Sequence, residues 1–160
     1  MAKHQLLLDD FYDPSFILIA IHSRLEDYRL AYMLNKYLGV SLSRLRQDLD
    51  YNYLDASFAI YQWEDTERQD VWNLIANVCK KEEASLQSSG TLFQQGATNI
   101  LKTYYLLPEF KKVDYFIKVT SDDASIDGDD LVGELNAIPQ IVASYVIEPE
   151  RIKTKNNLIF

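Results

Sequence analysis

The chain has 160 residues, 48% hydrophobic and 25% charged, with a formal net charge of −8 and a sequence pI of about 4.7. That size and balance fit one globular domain spanning 1–160, able to bury roughly 70% of its unfolded surface, and they exclude a disordered chain. The acidity argues against a nucleic-acid binder, which carries a basic stripe or a high pI.

The run Leu6-Leu7-Leu8 is too short for a secretory signal, and acids follow it. Phe16 to His22, FILIAIH, has the length and branched residues of a buried strand and is too short to cross a membrane. Ser23 followed by Glu26 has the spacing of a capping box, so a helix is expected over 24–38. Leu30, Ala31, Leu34, Tyr37 and Leu38 share one face of that helix, and Gly39 stands where a left-handed stop belongs.

The stretch from Leu42 to Tyr51 is read as a strand, although Leu42, Leu45 and Leu49 also fit helical spacing. Residues 57–63 and 70–78 alternate and are joined by the polar EDTER, which predicts a hairpin. KKEEASLQSSG, 80–90, reads as an exposed loop, and 91–107 as strand in part. In 113–121, Val113, Tyr115, Ile117 and Val119 fall on one face of a strand and Phe116 on the other. DDLVGELNAI is a short helix with acids in its first turn, ended by Pro139, and 140–148 is a final strand. The tail closes on Leu158-Ile159-Phe160, an apolar end suited to docking on the core or on a partner.

This order predicts an α+β fold with a largely antiparallel sheet and two main helices. Two strand–helix–strand units flank an antiparallel middle, and the second unit is ferredoxin-like in pattern.

Chemistry is sparse. Cys79 is the only cysteine, so neither an internal disulfide nor a Cys-based metal site is available within one chain. Five glycines form no phosphate-binding loop, and Ser23 lacks a nucleophile-elbow context. His22, Glu26, Asp27 and Arg29 gather at the first strand-to-helix junction and are the candidate ligand-binding residues. Capping and the helix dipole explain the same acids without a ligand, and that reading is preferred. From Asp123, Gly128 and Glu134 fall at the sixth and twelfth positions of a calcium loop, but a strand rather than a helix leads in. Trp63, Trp72, Tyr61, Tyr104 and Tyr105 read as core and cross-strand aromatics. The short basic clusters Arg44/Arg46, Lys111/Lys112 and Arg151/Lys153/Lys155 read as solvated faces.

LPEFKKVDY, residues 107 to 115, places Leu107-Pro108-Glu109 three residues before Val113-Asp114-Tyr115. It resembles the signature of the IPExxxVDY family of uncharacterised bacterial proteins, with Leu107 in place of isoleucine. HSRLEDYRLAYMLN and EPERIKTKNNLIF also look like that family. The resemblance implies no assigned reaction, cofactor or catalytic residue.

The expectation is therefore a cytoplasmic, non-enzymatic binding or protein-interaction module, with no cofactor, metal, nucleic acid or membrane. It would bind a protein partner or self-associate through an edge strand or the tail. The alternative is a small enzyme or ligand-sensing domain using His22, Glu26 and Arg29.

Overall fold

A computed structural model of the chain describes residues 15–51, 56–84, 99–122 and 126–160. The central six-stranded sheet combines β1 (Phe16–Ser23), β2 (Ser43–Arg44), β5 (Ile60–Asp65), β6 (Asp70–Ala76), β9 (Tyr115–Ser121) and β10 (Ile141–Ile147). Its order is β10-β1-β9-β6-β5-β2, and every neighbouring pair is antiparallel. The helices are α1 (Asp27–Leu38) and α2 (Gly128–Asn136). Two-stranded ribbons are formed by β3 (Leu49–Tyr51) with β4 (Ala56–Phe58), and by β7 (Val78–Ala84) with β8 (Asn99–Tyr105).

The α+β architecture expected from the sequence is the one observed. Strands β9 and β10 flank β1 and run parallel to each other, with α2 crossing between them. β1 and β6 flank β9 in the same way, with α1 in their connection. These are two split strand–helix–strand units, the ferredoxin-like arrangement, extended on one side by β5 and β2.

Both helices lie on one face of the sheet. Leu30, Ala31 and Leu34 of α1 and Leu131 and Leu135 of α2 pack with Ile19, Ile21, Leu74, Ile117 and Val119. The other face holds Leu18, Ala20, Ile60, Ile75 and Phe116, and it is covered by Phe58 of β4, by the loop around Leu106–Val113 and by the C-terminal segment. A sheet buried on both faces needs apolar residues at successive positions, which is why FILIAI shows no alternation. Helix α2 sits close: a Cβ on Gly128 would come within 3.0 Å of Val146 and 3.3 Å of Ile17.

Several local expectations change. The capping box does not form, and α1 begins at Asp27, after an extended Glu26 whose side chain makes no cap bond. A bulge between His22 and Ser23 draws Ser23 into β1. There its amide donates to Asp114 Oδ2 at 3.0 Å, and its hydroxyl donates to the Gln140 carbonyl and accepts from Leu25 N–H. The stop is as expected: Gly39 is left-handed (φ 67°) and its N–H bonds the Asn35 carbonyl.

Residues 57–63 divide between β4 and β5, broken at Ala59, and β5–β6 is the expected hairpin with Trp63 opposite Trp72. The 80–90 stretch is not a loop at its start, because Lys80 to Ala84 belong to β7 and pair with β8. Cross-strand partners supply what composition hid: Glu83 pairs with Lys102 and accepts a 2.7 Å bond from Tyr104. Val113 precedes β9 and packs with Phe116, on the face opposite to Tyr115, Ile117 and Val119. In the tail, Leu158 docks on the core, whereas Ile159 and Phe160 stay exposed.

Candidate functional site

The junction residues do not converge. Leu18 and Ala20 belong to the sheet face opposite the helices, and His22 continues their alternation. Its Nε2 lies 3.2 Å from Tyr145 Oη, on that same side. Glu26 and Arg29 are exposed, and Arg29 stacks beside Tyr28. Asp27 is engaged elsewhere, accepting from Arg44 and from Tyr61 Oη, both at 3.1 Å. Burial, and then the Asp27 charge, raise the Tyr61 phenol above its ordinary pKa. Among the described residues, no hydrogen bond or ion pair joins His22 to Glu26, Asp27 or Arg29.

The 107–115 stretch is a tie between distant segments. After Leu107, Pro108–Phe110 form a single 3₁₀ turn, as proline at the first position favours. Asn77, between β6 and β7, is 0% exposed and holds this loop. Its side chain accepts from Leu107 N–H and donates to the Phe110 and Val113 carbonyls, at 2.8 to 2.9 Å. Glu109 accepts from the amides of Lys153 and Thr154 and from the Thr154 hydroxyl. Asp114 binds the Ser23 amide, and Tyr115 donates to the Leu25 carbonyl at 2.6 Å. Burial, with Asp27 and Asp114 nearby, pushes the Tyr115 phenol up to about 12.

Burial alone would raise the Glu109 carboxyl. The amides of Thr154 and Lys153, together with the Thr154 hydroxyl, outweigh it and hold the group below the usual carboxylate range. Its contribution to stability is thus present above the unfolded value of about 4.3 and lost as pH falls below it. Glu109→Gln should lower the melting temperature at pH 7 and flatten the acid limb of stability below about pH 4. Melts of both proteins between pH 7 and pH 3 check this, and parallel acid limbs would refute it.

A polar concavity lies on the helix side of the sheet. It is a groove of about 420 Å³ where the C-terminal end of α1 and one side of α2 face the β5–β6 hairpin. Trp63 and Trp72 form its floor, half-buried, with ring centroids 6.2 Å apart. Alternation from Leu74 through Trp72 puts Asp70 on the same face. Asp70 is 2% exposed, and among the described residues neither carboxylate oxygen has a hydrogen-bond partner. The turn before it is shaped by Asp65 Oδ1, which accepts the Glu67 and Arg68 amides, and by Gln69 in a left-handed conformation (φ 58°).

The cation loop read from Asp123 lies partly outside the described residues. Within them, Gly128 opens α2, and Asp127 caps it by accepting the Asp129 amide at 2.8 Å. Among the described residues, no group of His, Cys, Asp or Glu is placed to hold a metal ion. Nor is any helix among them long and apolar enough to cross a membrane.

Sequence reasoning passed over Asp70 and Asn77. The signal for Asp70 was available: its two-residue offset from Trp72 and Leu74 sets an acid on a buried face. Comparison with protein-family models, curated proteins and solved structures finds no match to this chain.

Proposed function

We propose that the chain is a non-enzymatic binding module whose ligand site is the groove over Trp63 and Trp72. The observation that carries this reading is Asp70, a carboxylate enclosed at the groove with no partner for either oxygen among the described residues. An uncompensated buried charge is costly, and such residues mark sites where a ligand completes the bonding. The alternative at His22, Glu26 and Arg29 is less favoured, because the sheet separates the histidine from the helix residues.

Partner binding through the β10 edge is also less favoured. Asn136 Oδ1 accepts from both the amide and the hydroxyl of Ser144 at 2.9 Å, blocking the middle of that edge against strand addition.

We read LPEFKKVDY as the IPExxxVDY signature. In support, its Glu109, Asp114 and Tyr115 each fasten another segment, and those segments lie in the two stretches that share the resemblance.

The binding reading is tested by screening isotopically labelled protein against cationic, neutral and anionic small molecules. The indole N–H resonances of Trp63 and Trp72 should respond saturably to at least one class. Responses confined to other surfaces would end this reading.

A further inference from the structure

We infer that the groove takes a small organic cation carrying an alkylammonium group, its stem over the two indoles and its charge against Asp70. The inference rests on the binding reading above and names the ligand class.

Charge sets the sign. Asp65, Glu67, Asp127, Asp130 and Glu134 line the groove with Asp70, and Arg68 is the one cation among the described lining residues. An anion would enter against this field, whereas a cation is drawn in. Asp65 and Asp127 already accept backbone amides, so they shape the potential, while both Asp70 oxygens are unbonded among the described residues.

Chemistry then separates an organic cation from a metal ion. The described acids offer no set placed for metal coordination. Two half-buried tryptophans favour a ligand whose charge is carried on an apolar stem, because indole faces attract ammonium groups and cover methylenes. Arg68 makes no ion pair with Asp70 and stands exposed on the rim, where it competes with a bound cation for the same field.

The full chain is titrated with n-butylammonium chloride and with spermidine, against n-butanol, magnesium chloride and sodium chloride at matched ionic strength. Tryptophan fluorescence and the two indole N–H resonances are followed. The expected result is a saturable response to both amines and none to the three controls. Asp70→Asn should weaken amine binding by about tenfold or more while melting no lower than the native protein, because a buried charge is removed. Arg68→Ala should bind more tightly.

An equal response to n-butanol would show that only the stem is read, and a response to magnesium would make the groove a metal site; either overturns the inference. So does an Asp70→Asn protein that binds amines normally and melts lower, which would make Asp70 structural. If neutral or anionic compounds move the indole signals and amines do not, the inference falls and the binding reading stands. If nothing moves them, both fall.

Discussion

Asn77→Ala is expected to lower stability by about 3–5 kcal/mol, the upper range for a point substitution. The asparagine is 0% exposed, and its side chain pairs Leu107 N–H and the Phe110 and Val113 carbonyls. Alanine leaves the Leu107 N–H and the Val113 carbonyl unpaired, each costing about 1–3 kcal/mol, while the Phe110 carbonyl keeps the Val113 N–H at 3.0 Å. Among the described residues no other side chain bonds these groups, and the loop they belong to covers Phe116 and Ile75. Asn77→Asp is the informative companion. It keeps the acceptor for Leu107 N–H, loses both donors, and buries a charge facing two carbonyls, so it should be no better than alanine. Urea titrations of the three proteins measure the difference. A midpoint for Asn77→Ala within error of the native protein would mean that the loop is held by its apolar contacts alone.

Leu158→Ala should cost about 2–5 kcal/mol, the range for deleting a buried leucine side chain. Leu158 is 1% exposed and packs in the cluster on the sheet face away from the helices. Its carbonyl accepts from Lys118 Nζ at 2.6 Å, and Asn157 beside it donates to the Leu106 carbonyl at 2.7 Å. Loss of the leucine therefore loosens the cover over a nearly buried lysine on β9 as well as creating a cavity. Ile159→Ala, at an exposed neighbour, should change stability by less than about 0.5 kcal/mol. Equal losses at 158 and 159 would show that the segment does not dock as described.

Elements with one clear period were legible. The face of α1 apart from Tyr37, which is exposed, the glycine stop, the β5–β6 hairpin and the α2–Pro139 boundary follow from spacing and local backbone preference. The side of His22 was not legible. FILIAI is apolar at every position because both sheet faces are buried, so nothing in the run says which residues face the helices. The capping box failed for a related reason. Ser23 and Glu26 have the right spacing, but a bulge and the Asp114 carboxylate claim Ser23 for the strand. Asp114 is 91 residues away, and no local rule reports it.

LPEFKKVDY shows the same division. The sequence by itself determined that a proline turn leads into an apolar strand, that Glu109 and Asp114 are acceptors, and that the chain alternates into an α+β order. Those properties depend on neighbours a few residues away. Only the tertiary structure decided what the acceptors hold: Glu109 the amides of Lys153 and Thr154, and Asp114 the end of β1. It also decided that Asp70 is enclosed beside two tryptophans with no partner among the described residues. A carboxylate's partner is whichever donor the fold brings within about 3 Å, and that is settled by packing across the sheet rather than by spacing along the chain.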